Sequence, residues 1–555
     1  MVNYSAMKVL ETVFFHLPAL AAVAAACVLG AVAWGLPIAK GRKYLTAAVC
    51  VALLLHLVIF LDSTLSYVIY PYEGKSVVEG VVLYNSTQYL KGEQPYHSPE
   101  ELPFRSLVYP PVHEMALAGF LWLVGPSLYA ARVFSLLCVF GAVIICFLAV
   151  WRHTRRLFEA VFGGMLVLCC YGVTQHWMEQ VRNDSLMMFL VALGIFLADR
   201  SASRGRFPLG ALIALLLAVY TKQVAIFAPL AVIVFLWFRS RRRAVIFGVA
   251  FAAAAMAILV AMEIWTDGWF AFYTLRVPFS AGMEFSQLVL ASTFIGSTWL
   301  LLWGILVLIL LERRNMVGLE APPVRATLPG RLWADLSAIL KAGLPAGRPL
   351  VPALWAWTFL SAVLFSFLQS VKWGGTLNAF IPLVAPLAVM GGLTLHALMA
   401  RFYERGWVQI VVLAAALMQL AMISYQPVLP APEDRTAQEK ITKWVRAAPG
   451  DVFISVFSSQ AYLPLNGKKY FGDDVTTGDL VRANAWSGGE LVEKARRGGF
   501  SLMILRPRIE PDDLLLAVHE SYVPMGKIKM GTELTRWPYM EVYVPKAARW
   551  RPEGK

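Results

Sequence analysis

Charge is what this chain has least of. Only 15% of its 555 residues are Asp, Glu, Lys or Arg, against roughly 25% in an average soluble protein, too few to clothe a water-soluble fold of this length. Acidic residues are the scarcer sign, 35 against 49 Lys and Arg, which leaves a net charge of +14. In a soluble protein that excess would suggest nucleic acid as a partner. Here Lys and Arg sit in short loops between apolar runs, the distribution that orients a membrane protein, so nucleic acid is not an expected partner. Cysteine is also rare. Cys27, Cys50, Cys138, Cys146, Cys169 and Cys170 all fall inside apolar runs and none lies in the polar C-terminal part, so neither a disulfide framework nor a zinc site is indicated. A cleavable leader is not evident either. The apolar run from Phe14 to Pro37 is longer than a signal-peptide core and lacks a small-residue cleavage site, so it reads as a retained span.

What is abundant is hydrophobic sequence, 58% of the chain. Runs long enough to cross a bilayer, roughly 17–25 residues, occur near 14–38, 44–69, 129–151, 157–174, 185–199, 244–264, 288–311, 350–370, 376–399 and 406–424. The stretch from Phe207 to Phe238 is too long for one ordinary span and carries Tyr220-Thr221-Lys222-Gln223 at its middle, which predicts two short spans meeting in a turn. The run 112–124 is too short to span, contains His113 and Glu114 and follows two prolines, so a juxtamembrane helix is expected.

Loop charges test this count, because basic residues are retained on the cytoplasmic side. With 39–43 inside and 112–124 not a span, inside loops hold basic clusters such as Arg152, Arg155, Arg156 and Arg239, Arg241, Arg242, Arg243. Each short outside loop then holds one basic residue: Arg182, Lys222, Arg276 or Lys372. The expectation is a polytopic α-helical membrane protein of about twelve spans over residues 1–425, with an outer loop at 70–127. A polar part, 426–555, follows on the outer side.

That polar part reads as a linker, a helix (435–447), a strand (451–457), a helix (489–497), a strand (501–505), a helix (512–518) and a strand (540–544). Alternating helix and strand predicts a small α/β domain, a scaffold or lid packed on the membrane part. It is too small to be a complete enzyme.

Ionisable groups at membrane boundaries are costly unless they meet a partner or water, so they are site candidates. Glu73 follows Tyr70-Pro71-Tyr72, where proline ends a span. Its carboxylate can serve as a general base toward a hydroxyl or as a metal ligand, or be a solvated residue at a helix start. Residues 76–90 have the pattern of an interfacial helix, with Glu79 on its polar face. In the loop QHWMEQVRNDS, Asp184 is a second carboxylate and Arg182 either holds it or contacts a phosphate. A local Arg–Asp pair or a helix cap is the ordinary alternative, and Glu179 and His176 are weaker candidates. Lys222 and Lys372 are each alone on an outer rim and suit a phosphate, although snorkelling also explains them. Asn378 follows the Lys372-Trp373-Gly374-Gly375 turn, and Arg276 is a third phosphate candidate.

The order of these features resembles the GT-C class of lipid-linked-sugar glycosyltransferases, which includes protein O-mannosyltransferases, aminoarabinose transferases and family 39-like bacterial enzymes. The motifs are Tyr72-Glu73-Gly74, Gly92-Glu93-Gln94-Pro95-Tyr96, Tyr109-Pro110-Pro111, Gly125-Pro126-Ser127 with Ala131-Arg132, Arg182-Asn183-Asp184, Thr221-Lys222-Gln223, and Lys372-Trp373-Gly374-Gly375 with Asn378. They cover about residues 44–424. The resemblance implies an integral protein of a bacterial-type cytoplasmic membrane, active on its extracytoplasmic side. It would move a sugar from a polyprenyl-phosphate donor to a hydroxyl of a glycan, lipid or protein acceptor. By the same resemblance Glu73 would be the base and Asp184 the second catalytic carboxylate. Lys222, Lys372, Arg182 and Arg276 would hold the donor phosphate, and Tyr72, Tyr109 and Asn378 would contact substrate. No cofactor is assigned, and a divalent metal stays open. Family members often carry Asp or a paired Asp-Glu where this chain has one Glu before Gly74, so a divalent metal would need Asp184 to join it. A transporter or flippase for a lipid-linked substrate is the alternative, although such proteins place polar residues at the bilayer midplane.

Overall fold

The computed structural model describes residue 25 and residues 28–552, apart from 31, 75–77, 104–107, 281, 317–351, 373–374, 426–428, 456–459, 474–476, 479, 482–483, 508–510, 530–538 and 549. The first half of the expected first span, 14–38, and the basic residues Arg325, Arg331, Lys341 and Arg348 therefore lie outside the described residues.

Helix α1 runs Ile38–Ile69. At 32 residues it is about 48 Å long, well beyond an apolar core of about 30 Å. The basic residues Lys40, Arg42 and Lys43 thus ride on its first turns rather than in a separate loop. At its other end Tyr70 and Pro71, the latter with no amide hydrogen to continue the ladder, open loop 70–78. Helix α2 (Glu79–Leu90) and α3 (Val112–Val124) come next. Helix α3 buries His113, Glu114, Leu117, Ala118 and Leu121 while Trp122, Leu123 and Val124 stay exposed, as suits a helix lying against lipid.

Helices α4 (Leu128–Thr154) and α5 (Leu157–Val173) form a hairpin, and α6 spans Asn183–Ala202. Then α7 (Leu209–Val219) and α8 (Phe227–Arg239) are separated by a short 3-10 turn at Gln223–Ile226, the two short spans expected from the polar break at Tyr220–Gln223. Helices α9 (Arg241–Trp265), α10 (Leu288–Met316), α11 (Ala353–Ser370), α12 (Ile381–Arg401) and α13 (Gly406–Ala421) complete the bundle. Among the described residues seven helices are long and apolar enough to cross a membrane, and five shorter apolar ones, α3 among them, accompany them. Helix α12 is buried along nearly its whole length and packs on α4, α5, α6, α10, α11 and α13, which makes it the axis of the bundle. Helix α9, by contrast, buries only Ala244, Phe247 and Phe251.

The C-terminal region comprises α14 (Pro432–Ala447), β1 (Val452–Ile454), α15 (Gly489–Arg496), β2 (Leu502–Leu505), α16 (Asp512–Ser521), β3 (Tyr522–Lys529) and β4 (Tyr539–Pro545). The sheet order is β1-β2-β4-β3, with β1 and β2 parallel and the other pairs antiparallel. Strand β3 is an addition to the expected pattern. Its register shifts between Pro524 and Gly526, two residues that weaken a strand signal. Strand β1 is shorter than expected. The apolar side of this region shares one core with Val81, Tyr84, Tyr96, Tyr220, Phe270 and Tyr273, so it packs directly on the membrane part.

Candidate functional site

Glu73 is fully buried where loop 70–78 meets the C-terminal region. Its Oε1 accepts the Gly80 N–H at 2.6 Å and its Oε2 accepts the Ala461 N–H at 2.9 Å. Gln438 of α14 donates to the Glu73 carbonyl at 2.7 Å and accepts from the Tyr70 hydroxyl at 2.6 Å. Burial pushes the Glu73 carboxyl up to about 8, against the lowering effect of the two backbone N–H groups. Gly80 is required by packing: a Cβ there would lie 2.0 Å from the Ala461 nitrogen. Tyr72 stacks edge-on with Tyr70 and Tyr462, with ring centroids 5.8 and 6.0 Å apart.

Helix α2, expected on the interface, is instead buried on nearly all sides. Its Glu79 is fully enclosed and ion-paired at 2.6 Å to Arg132, an arginine near the start of α4. The same guanidinium donates to the carbonyls of Tyr67, Tyr70 and Tyr72 at 2.8, 2.6 and 2.7 Å. Glu79 also accepts from the Tyr67 hydroxyl at 2.8 Å and from the Val181 N–H at 3.1 Å. One buried pair thereby ties the end of α1, helix α2 and the loop before α6. An arginine inside an otherwise apolar span was the sequence signal for this knot, and its partner was hidden by the surface-helix reading.

A second group lies at the start of α6. The Asp184 carboxylate receives Lys222 Nζ at 2.6 Å and Arg182 Nε at 3.2 Å, and all three side chains are buried. Asn183 donates to the Thr221 carbonyl at 3.2 Å, and the Val112 N–H to the Tyr220 carbonyl at 3.1 Å. These bonds lock the α7–α8 turn against α6 and α3. The Arg182 guanidinium stacks on Trp177, 4.3 Å from the ring centroid, and Lys222 Nζ is 5.7 Å from that of Tyr109. Two cations to one carboxylate leave this buried group with a surplus positive charge.

Between the two groups, the 174–182 loop carries Glu179. Its Oε1 accepts from the Tyr171 hydroxyl at 2.8 Å, while its buried Oε2 has no hydrogen-bond partner among the described residues. Burial pushes this carboxyl up to about 8. His113 Nδ1 and Glu114 Oε2 are likewise buried without a partner, and His113 is within electrostatic reach of Asp184 and Arg182. Buried, incompletely satisfied ionisable groups of this kind concentrate at functional sites.

The remaining candidates lie elsewhere in the fold. Arg276 is exposed on a π-helical turn, Phe272–Arg276, and lines a cavity of about 560 Å³ with Trp269, Phe272 and Phe279. Lys372 forms an isolated backbone bridge with Met283. Asn378 accepts from Thr376 Oγ1 at 2.6 Å at the entry to α12. No three His, Cys, Asp or Glu side chains gather among the described residues in the way a metal site needs. The Asp184 oxygens face two cations and those of Glu73 two backbone amides.

Comparison with known proteins agrees with this architecture. Residues 108–265 match the profile of the family described as dolichyl-phosphate-mannose-protein mannosyltransferase. No curated protein matches the chain by sequence. Among solved structures, ArnT from Cupriavidus metallidurans bound to undecaprenyl phosphate superposes with a TM-score of 0.53 at 12% identity. The match covers 89% of this chain and 98% of that one. Apo ArnT gives a TM-score of 0.48 at 14% identity over 88% of this chain and 97% of that one. The oligosaccharyltransferase of Archaeoglobus fulgidus gives 0.44 at 11% identity over 83% and 69%. The overall fold is thus that of ArnT, and within it residues 108–265 carry the mannosyltransferase-family profile.

Proposed function

We propose that this protein transfers a sugar from a polyprenyl-phosphate donor to a hydroxyl acceptor with inversion, on the extracytoplasmic face of the membrane, where loop 70–127 and the C-terminal domain lie. The observation that carries the reading is the surplus positive charge of the buried Arg182–Asp184–Lys222 group. It is complementary to the single negative charge of a phosphodiester donor. That an ArnT structure holds undecaprenyl phosphate supports the same class of lipid here.

In this reading the donor phosphate lies beside Lys222 and Arg182, with Asp184 keeping both cations oriented and Tyr109 flanking the lysine. The acceptor oxygen attacks the anomeric carbon as the bond from that carbon to the phosphate oxygen breaks. The electron pair leaves with the polyprenyl phosphate, whose added negative charge the two cations stabilise. Glu73 takes the acceptor proton, and a carboxyl pushed up to about 8 is well matched to that task near neutral pH. Because Ala461 and Gly80 occupy both Glu73 oxygens, acceptor entry requires the Gln460–Ala461 segment to withdraw. Lys372, Arg276, Tyr72 and Asn378 remain proposed contacts for the donor and acceptor at the rim.

The test uses purified protein in nanodiscs. Wild type should bind undecaprenyl phosphate saturably and release polyprenyl phosphate from a polyprenyl-phosphate sugar. Lys222→Met removes a charged hydrogen bond of about 1.5–3 kcal/mol, so donor affinity should fall roughly ten- to a hundredfold. Equal affinity for the lipid phosphate in a folded Lys222→Met protein would remove the proposed donor site.

A further inference from the structure

We propose a second lipid site at the opposite end of the bundle, taking the phosphate headgroup of an anionic glycerophospholipid. Helix α6 has Asp184 at one end and Ala202 at the other, about 27 Å apart by helix rise, so this site is separate from the one above. Ala202, Val232 and Leu236 help to floor a cavity of about 580 Å³, within the usual range for a ligand site. Arg206, Arg239, Arg242 and Arg243 form its rim. These arginines come from three elements: the α6–α7 turn, the end of α8 and the start of α9.

Two physical features argue for an anion there rather than a solvated basic loop. First, α9 places Arg241, Arg242 and Arg243 in its first turn and no acidic residue with them. Positive charge at that end opposes the helix dipole, which favours anions. Secondly, among the described residues no ion pair engages Arg206, Arg239, Arg242 or Arg243. Asp199, next to the cavity-lining Ala198 on α6, is already bound by Arg152 and His153 at 3.3 and 2.8 Å. Phe207, which lines the cavity, is exposed, as are Trp237 and Phe238 on the last turn of α8, and exposed aromatics suit a headgroup layer. An apolar floor under an arginine rim between spans suits a phosphate carrying hydrocarbon chains. Both a glycerophospholipid and a polyprenyl phosphate have that chemistry. The cavity is assigned to the glycerophospholipid because its phosphate is the abundant one at this level of a bilayer.

Delipidated protein would be incubated with vesicles of phosphatidylcholine alone, phosphatidylcholine with phosphatidylglycerol, or phosphatidylcholine with undecaprenyl phosphate. Native mass spectrometry then reads the retained lipid. The expected result is a preference of roughly tenfold or more for phosphatidylglycerol over phosphatidylcholine, and little retention of undecaprenyl phosphate by a Lys222→Met background. Arg206→Gln/Arg242→Gln should abolish the preference, while Arg155→Gln/Arg156→Gln, on the same face outside the cavity, should keep it. Ala202→Trp fills the floor with every charge intact and should also abolish it. Retained preference in either cavity variant, equal loss in the Arg155/Arg156 control, or selective retention of undecaprenyl phosphate in the Lys222→Met background would each overturn the proposal.

Discussion

Removing Arg132 should be among the most damaging single changes outside the bundle axis. Its guanidinium spends its donors on two Glu79 oxygens, at 3.1 and 2.6 Å, and on three loop carbonyls. Arg132→Met strands a buried carboxylate whose remaining donors are the Tyr67 hydroxyl and the Val181 N–H. Breaking one partner of a buried pair costs about 3–5 kcal/mol. Glu79→Gln alone should cost a comparable amount, because it leaves the guanidinium without its counter-charge. The double variant removes both charges, so its cost should fall short of the sum by about 1–3 kcal/mol. The assay is unfolding in mixed micelles followed by tryptophan fluorescence, with donor release measured on the same samples. A loss below about 1 kcal/mol in Arg132→Met, or strictly additive single variants, would refute the idea that this pair ties α1, α2 and the loop before α6 together.

Gly80→Ala drives a Cβ to 2.0 Å from the Ala461 backbone, so it should loosen the C-terminal domain. Limited proteolysis should cut the 426–460 region faster than in wild type, and identical digestion kinetics would disprove the contact. The pH dependence follows from Glu73 and Glu179, both raised from 4.5 to about 8. Their protonated forms are favoured in the folded state, so their stabilisation is complete below about 4.5 and is lost as pH rises through about 8. Glu114 is raised to about 8 as well, so unfolding titrations should show stability declining across that window, with a shallower slope in Glu73→Gln and a shallower one still in Glu73→Gln/Glu179→Gln. An unchanged slope in the double variant contradicts the assignment. If Glu73 is the base it must be deprotonated to act, so turnover at saturating donor should rise with pH up to about 8. A pH-independent rate would argue against it.

Much of the fold was legible because hydrophobicity and loop charge are local quantities. The polar break at Tyr220–Gln223 marked the two short helices α7 and α8, and the prolines before Val112 marked a helix too short to cross. Strand β3 was not legible, since Pro524 and Gly526 interrupt its alternation. The interfacial reading of α2 failed for a related reason. Its polar residues looked solvent-facing, but a polar stripe cannot reveal whether water or a buried arginine meets it.

By itself, then, the sequence determined that this chain crosses a membrane many times, which loops gather positive charge, and where ionisable groups stand at span ends. Each follows from a run of neighbouring residues and the cost of placing charge in hydrocarbon. Only the tertiary structure decided which of those groups meet. Glu79 finds Arg132 53 positions away, Asp184 finds Lys222 38 away, and Glu73 receives an amide 388 positions away. Packing selects such partners, because a buried charge must be satisfied by whatever the folded chain brings to it.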